Sequence, residues 1–149
     1  MRDFDVIVKV MKLTNDAHIP TYAHEGDSGV DLYSIDNVMV NPHETALIHT
    51  GIAIAIPQGY EGCVRPRSGL ALKQSITVLN SPGTIDSNYR GEVCVIIHNA
   101  SSHKYMDIHA GDRIAQMVIQ KVPRVNFVEV GSLDSTDRGA DGFGSTGLR

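Results

Sequence analysis

Short apolar runs separated by turn residues recur along most of this chain, and they limit the folds that it can adopt. Turn signals such as Asn41-Pro42, Pro57-Gln58-Gly59 and Ala110-Gly111-Asp112 fall between the runs. Runs of this length, bounded by Gly, Pro, Asn and Asp, are typical of β-strands, and no stretch carries a long helical period. The sequence therefore predicts an all-β sandwich or barrel. The predicted strands are Val6–Val10, Ala46–Ile48, Gly51–Ile56, Ile76–Leu79, Glu92–His98, Ile114–Val122 and Val125–Val130.

Two of these runs are apolar on both faces, which a half-exposed strand is not. Ile52–Ile56 and Val93–Ile97 contain no polar residue that would mark a solvent face. A two-layer sandwich covers one face of each sheet, so the second apolar face needs another cover. We expect a second copy of the chain to supply it, and hence a homo-oligomer.

One short helix is compatible with the pattern. Ser68 to Lys73 can form a turn or two of helix with Ser68 as the cap. Arg65 and Arg67 stand just before it on either side of Pro66, and a helix start with a hydroxyl and a guanidinium nearby suits an anion. The alternative is that Arg65 and Arg67 are exposed surface residues beside a helix cap, and this segment alone does not decide between the two.

Length and charge exclude several classes of protein. A chain of 149 residues is long enough for one domain with a single core. Its net charge of -4 argues against binding of a nucleic acid polymer but permits a small anion held by a few arginines. Cys63 and Cys94 form no CxxC pair, which favours reduced thiols over a disulfide or zinc site. Without a signal peptide or membrane span, we expect a cytoplasmic protein.

The last nineteen residues differ in composition from the rest of the chain. They predict a flexible glycine-rich arm, residues 131–149, after a β domain of residues 1–130. The arm contains a GxGxxG string at 142–147, but a dinucleotide-binding fold needs a strand before it and a helix after it. Glycine N–H groups, Arg138, Ser145 and Thr146 can nonetheless bind phosphate, and Phe143 can stack on a base. Extended, the arm spans roughly 60 Å, enough to reach a neighbouring subunit.

A polar hairpin over residues 80–91 lies between two apolar runs. Pro82 and Gly83 can hold a turn whose backbone N–H and C=O groups read the edge of a pyrimidine. Asp86 within it could simply cap a turn, as aspartates in loops commonly do. The hairpin alone leaves that choice open.

Five segments, in order, resemble the five motifs of the dUTPase family, and together they cover residues from about 23 to 147. The segments are Gly26–Leu32, Pro66–Leu70, Gly83–Gly91, Gly111–Gln116 and Arg138–Gly147. Two positions depart from the family pattern: Asp27 stands where a small residue is common, and Asp141 stands where glycine is usual. The resemblance implies a trimer of jelly-roll-like β subunits, with each site at an interface and closed by a neighbour's arm.

The resemblance also implies a reaction, the hydrolysis of dUTP to dUMP and pyrophosphate. Asp86 would orient and deprotonate the water that attacks the α-phosphate. Tyr89 would pack under the deoxyribose and exclude a 2′-hydroxyl, and Asn80 would hydrogen-bond the uracil. Backbone groups of Gly83, Thr84 and Ile85 would complete the base contacts.

The remaining roles implied by the resemblance concern the phosphates. Phe143 would stack on the uracil, Asp31 would support the architecture of the site, and Mg²⁺ would be held by the phosphates and water with no direct protein ligand. The residues expected to bind phosphate are Arg67, Ser68, Gly69, Gln116, Arg138, Gly144, Ser145 and Thr146. The seven histidines show no HExxH spacing and are expected to be structural or surface groups.

Two alternatives remain. A dCTP deaminase shares this fold, although its counterpart of the third motif tends to follow the aspartate with Pro-Gly where this chain has Ser87-Asn88-Tyr89. A non-catalytic trimer that binds a nucleotide or a protein partner is the other. Ammonia release from dCTP would identify a deaminase. Pyrophosphate release that depends on the Asp86 carboxylate would exclude a non-catalytic trimer.

Overall fold

The computed structural model of the protein describes residues 6–143, and strands dominate it. The elements are β1 (Lys9–Lys12), β2 (Val30–Tyr33), β3 (Val38–Val40), β4 (Thr45–Ala55), β5 (Tyr60–Arg65), α1 (Ser68–Gln74), β6 (Ile76–Val78), β7 (Gly83–Ile85), β8 (Glu92–Asn99), β9 (Met106–Ile108) and β10 (Arg113–Lys121). The predicted all-β class is confirmed. Among residues 6–143, no helix has the length and apolar character needed to cross a membrane.

The strands form two four-stranded antiparallel sheets and one two-stranded ribbon. The first sheet has the order β1-β4-β8-β6, the second has the order β2-β10-β5-β7, and β3 pairs with β9. One core joins the sheets, because Ile48, Val95 and Ile97 of the first sheet and Leu32 and Ile114 of the second are all at most 1% exposed. Non-consecutive strands are neighbours in both sheets, which suits the predicted jelly-roll-like arrangement.

Strand β4 joins two runs that the sequence separates, and a bulge at Gly51 explains why. His49 pairs with Cys94, but the next paired residue, Ala53, lies opposite Glu92, so β4 carries two extra residues at this point. Gly51 has a φ of +68°, and a Cβ there would lie 2.7 Å from Thr14 Oγ1. A side chain is therefore excluded at this bulge.

The predicted strand Val125–Val130 is wrong for the isolated chain. Residues 122–130 form no strand, and Phe127 is 92% exposed and Val128 72% exposed. A strand requires a neighbouring edge for its backbone hydrogen bonds, and no strand within residues 6–143 pairs with that segment. The segment therefore has the apolar pattern of a strand but no neighbouring strand among the described residues.

The expectation that two runs need external cover is partly wrong. Ile52, Ala53 and Ile54 are at most 6% exposed within one chain, so this part of β4 is already covered on both faces. On β8, by contrast, Cys94 and Ile96 are half-buried, and the facing Leu47 is 55% exposed. Only the second run leaves an apolar face open.

Ser68 is not the helix cap. Helix α1 starts at Ser68 itself, and Arg67 occupies the N-cap position. The backbone of Arg67 is extended, and its side chain makes no capping hydrogen bond. Pro66 directly before Arg67 favours that extended conformation. The Ser68 hydroxyl makes no hydrogen bond to any other described residue and remains available to a ligand.

Candidate active site

A cleft of about 540 Å³ brings together the first, second and fourth motif segments. It lies where β2, β10 and β5 run side by side, because Gln116 of β10 pairs with Asp31 on one side and with Arg65 on the other. The start of α1 closes one wall. The predicted residues that line it are Asp31, Arg67, Ser68, Gly69 and Gln116.

Asp31 holds two arginines at the base of this cleft. Its Oδ1 lies 3.1 Å from Arg67 Nε, and its Oδ2 lies 3.4 Å from Arg113 Nη1. The Asp31 side chain is only 13% exposed, whereas that of Arg113 is 48% exposed. Arg67 Nη1 also donates to the Arg113 carbonyl at 3.2 Å. The Asp31 carboxylate thus contacts two cations that line the cleft.

Gln116 is positioned by a close fit to Gly29. Its Nε2 donates to the carbonyl of Pro66 at 2.9 Å, which ties β10 to the segment before α1. A Cβ on Gly29 would lie 2.6 Å from Gln116 Oε1 and 3.4 Å from its Cδ. Glycine at position 29 therefore leaves the room that this amide needs.

We expect Gly29→Ala to displace the Gln116 amide and break its bond to Pro66. Loss of one such hydrogen bond corresponds to about 1 kcal/mol, or roughly fivefold weaker nucleotide binding. Isothermal titration with a non-hydrolysable dUTP analogue measures this change. Gly131→Ala is the matched control, because a Cβ there meets nothing within 4 Å. Equal affinity in both variants would contradict the positioning role of Gly29.

Asp27, the first departure from the family pattern, caps its own turn. Its Oδ2 accepts the His24 N–H at 2.8 Å, and the residue lines the same cleft. The carboxylate therefore replaces a small residue without leaving a buried charge, since Asp27 is exposed.

Asp86 lies at the end of β7 on another part of the surface. It is exposed, and its carboxylate makes no hydrogen bond or ion pair with any other described residue. Its carbonyl accepts the Tyr89 N–H at 3.1 Å, while Arg90 Nη1 donates to the carbonyls of Ser87 and Tyr89 at 2.7 Å. These bonds hold the loop and leave the Asp86 carboxylate open to a substrate or water.

The hairpin packs tightly around its glycines. A Cβ on Gly83 would lie 3.3 Å from both Asn80 Nδ2 and Val64 Cβ. The Ser81–Pro82 peptide bond is cis. Tyr89 lies over Gly91, where any Cβ would collide with its ring, and its hydroxyl donates to the Glu92 carbonyl at 3.0 Å. Asp86 and Tyr89 share a cleft of about 350 Å³.

Within one chain, the predicted residues around Asp86 do not meet those around Asp31. Ile85 pairs with Gly62 of β5, whereas Gln116 pairs with Arg65 from the other side of that strand. At about 3.3 Å per residue and 4.8 Å per strand spacing, the two Cα atoms are roughly 14 Å apart. The cleft that contains Arg67 and Gln116 also shares no lining residue with either cleft that contains Asp86.

The described part of the arm contacts mainly itself. Arg138 Nε donates to the Asp141 carbonyl at 2.9 Å, and the Gly139 N–H donates to Thr136 Oγ1 at 3.1 Å. Phe143 is fully exposed. The predicted phosphate ligands Gly144, Ser145 and Thr146 lie outside the described residues.

Two cations in the cleft around Asp31 were not among the predicted ligands. Arg113 belongs to the fourth motif segment, and Lys73 lies in the last turn of α1. The sequence signal for Arg113 was its position at the start of a strand, directly after the Gly111-Asp112 turn. Lys73 had no comparable signal, because its place depends on how α1 packs.

Comparison with known proteins agrees with this arrangement of motifs. The dUTPase family model matches residues 15–147. A deoxyuridine 5'-triphosphate nucleotidohydrolase of Picosynechococcus is 56% identical over 94% of this chain and 98% of its own length. The dUTPase of Staphylococcus bacteriophage 80alpha, solved with dUPNHPP, superposes with a TM-score of 0.86 at 30% identity, covering 95% of this chain and 99% of that one. A mutant dUTPase from phage phi11 of S. aureus, described with a structural Mg(II) ion, has a TM-score of 0.77 at 27% identity, over 87% of this chain and 99% of that one. This chain is a member of the dUTPase family.

Proposed function

We propose that the protein hydrolyses dUTP to dUMP and pyrophosphate, with Asp86 as the general base. The observation that carries this is the exposed Asp86 carboxylate, which bonds to no other described residue and lines a cleft together with Tyr89. The family relationship supports the substrate, since its relatives bear the name of that activity.

In the proposed reaction, a water molecule attacks the α-phosphorus and its proton passes to the Asp86 carboxylate. The bond from the α-phosphorus to the bridging oxygen breaks, and pyrophosphate leaves with that oxygen. A positioned base of this kind is worth about 10² to 10⁴ in rate. The 2′ side of the sugar would face the Tyr89 ring, which leaves no room for a hydroxyl, and Asn80 with the backbone of Gly83, Thr84 and Ile85 would bind the uracil.

The cleft around Asp31 is the proposed phosphate site. Arg67, Ser68, Gly69 and Gln116 would bind the phosphates, with Arg113 adding charge. Three cations line it, of which Arg67 and Arg113 are oriented by Asp31. Guanidinium groups held in this way recognise phosphate with little loss of side-chain entropy on binding.

Mg²⁺ fits this site as a companion of the triphosphate. Magnesium prefers an octahedron of oxygens and retains several waters, and it would neutralise phosphate charge. Both oxygens of Asp31 face guanidiniums, and the one three-residue metal cluster among the described residues, His49 with Glu92 and Cys94, contains sulfur and nitrogen. We therefore propose that protein groups contact Mg²⁺ through water and phosphate.

We also propose that the site is completed between subunits of a homotrimer. Within one chain, the cleft around Asp31 shares no lining residue with either cleft that contains Asp86. The run Val125–Val130 has the composition of a strand and exposed apolar side chains, and it pairs with no strand in the described part of its own chain. Pairing of this run with a neighbour would bury it and carry the arm of residues 131–149 toward a site on another subunit, where Arg138, Phe143 and the last glycines could close over dUTP.

Pyrophosphate release from dUTP, UTP, dTTP and dCTP with Mg²⁺ tests base, sugar and reaction together. We expect release from dUTP only. A hydrogen-bonded site rejects poorly matched analogues by about 10⁴-fold or more. Release of ammonia from dCTP would instead identify a deaminase, and binding of dUTP without release would identify a non-catalytic trimer.

Mixed assemblies test the shared site. We expect Asp86→Asn and Arg67→Ala chains to be inactive separately and partly active after joint refolding. If each site takes residue 86 from one subunit and residue 67 from another, half of the chains supply each intact residue, and one half times one half gives about one quarter of normal activity. Ser68→Ala serves as a second partner variant that breaks no contact between described residues. No recovery in either mixture would place both groups in one chain.

A further inference from the structure

A cluster of three potential metal ligands lies on the half-open face of the first sheet. One ring nitrogen of His49, one carboxylate oxygen of Glu92 and the sulfur of Cys94 all lie within 4.8 Å of one another. The sequence predicted structural or surface histidines and no zinc site, and these three residues are adjacent only in the folded chain. We propose that His49, Glu92 and Cys94 form a binding site for a Zn²⁺-class transition-metal ion, separate from the Mg²⁺ that accompanies the nucleotide.

Strand pairing is what creates this cluster. His49 of β4 lies directly opposite Cys94 of β8, and side chains of such pairs stand on the same face about 5 Å apart. Glu92 lies two residues from Cys94 on β8 and so shares that face. The bulge at Gly51 then positions the carboxylate, since the Gly51 N–H donates to Glu92 Oε1 at 2.8 Å and leaves the other oxygen available.

The imidazole is already oriented in the way that metal sites require. Its Nδ1 lies 2.9 Å from Asp36 Oδ2, and the His49 backbone N–H donates to the same oxygen at 2.8 Å. A carboxylate that accepts the Nδ1–H leaves the lone pair of a neutral ring on Nε2. Asp36 therefore acts as a positioning residue, and Nε2 is the nitrogen we assign as the ligand.

The ligand set selects the metal. A thiolate, an imidazole and a carboxylate suit Zn²⁺ and related ions, whereas Mg²⁺ requires oxygen ligands. Donor atoms around tetrahedral Zn²⁺ lie roughly 3.5 Å apart, so the three side chains need to close by about 1 Å. All three residues are half-buried, which leaves a fourth position for water.

The site adjoins the cleft that contains Asp86. Glu92 and Cys94 line that cleft together with Tyr89, and the Tyr89 hydroxyl donates to the Glu92 carbonyl at 3.0 Å. A metal on the Glu92 side chain would thus be bound by the same residue whose carbonyl accepts the Tyr89 hydroxyl. The metal proposal itself rests on the geometry of the three ligands and does not depend on the proposed reaction.

Titration of the full-length protein with Co²⁺, in excess Mg²⁺, tests the proposal. We expect one Co²⁺ per chain, a near-ultraviolet cobalt–thiolate charge-transfer band, and displacement of that band by Zn²⁺. Cys94→Ser should lose the band and His49→Asn should weaken binding, whereas Asp36→Asn should weaken it by about 10- to 100-fold. Cys63→Ser and His98→Asn are the controls and should retain both band and affinity, since Cys63 is buried in the core and His98 bonds to Thr45 on the same face.

Three results would overturn the assignment. A band that persists in Cys94→Ser places the thiolate elsewhere. Co²⁺ binding that Mg²⁺ competes away at equal concentration contradicts the ligand set. One ion per three chains would mean that copies share the ion, and not that each chain holds its own. Thermal unfolding of each variant without metal excludes misfolding as the cause of a lost band.

Discussion

Asp86→Asn is expected to reduce the rate of dUTP hydrolysis by about 10³-fold, the middle of the range for loss of a general base. An amide has the shape of the carboxylate but cannot take the proton from the attacking water. The loop should be unaffected, because its bond at this residue comes from the Asp86 backbone carbonyl and the carboxylate makes none with other described residues. Single-turnover measurement of pyrophosphate release gives the chemical rate directly.

Measurement of nucleotide affinity distinguishes the loss of the general base from the loss of the fold. A non-hydrolysable analogue such as dUPNHPP should bind Asp86→Asn with nearly unchanged affinity, and the thermal midpoint should match the parent protein. Asp107→Asn is the matched control, since that carboxylate is 56% exposed on β9, away from the proposed site. Normal turnover in Asp86→Asn would remove the proposed base and with it the proposed mechanism.

A chain that ends at Asp137 is expected to lose at least about 10²-fold in kcat/KM while it keeps its assembly. The deletion removes Arg138, Phe143 and the last glycines, which we propose close the nucleotide site and shield it from bulk solvent. The β domain should tolerate the change, because Phe143 is fully exposed and Arg138 bonds only to Asp141 among the described residues. Steady-state kinetics with light scattering measures activity and assembly together.

A single substitution tests the arm more finely. Phe143→Ala should weaken binding of the nucleotide by about 1 to 3 kcal/mol, the usual contribution of an aromatic ring stacked on a base. Leu133→Ala removes another exposed apolar side chain, 86% exposed and earlier in the arm, and should have little effect. Full activity of the shortened chain would mean that the arm does not close the site.

Several strands were predictable because their patterns are local. The runs in β6, β8 and β10 carry their own turn signals, so the sequence indicates them without knowledge of their partners. Strand β5 was missed, since Glu61, Gly62 and Arg65 interrupt its apolar residues, and its pairing with β10 supplies what its composition does not. The strand prediction for residues 125–130 was wrong for the opposite reason. That segment has the composition of a strand, but no strand edge in the described part of the chain pairs with it.

The candidate site was likewise predictable only in part. The identity of the chemical groups followed from the motifs, because each motif is contiguous and its residue types suit phosphate, base or water. Whether those groups meet depends on register between distant strands. The pairings Ile85 with Gly62 and Gln116 with Arg65 separate Asp86 from the cleft around Asp31 within one chain.

By itself, the sequence determined the all-β class and the order of the motifs, since periodicity and motif spacing are properties of neighbouring residues. Only the tertiary structure decided that Asp31 orients two arginines and that His49 lies opposite Cys94. Both arrangements join residues that are far apart in the sequence. Their proximity comes from cross-strand hydrogen bonding and the bulge at Gly51, which no local pattern encodes.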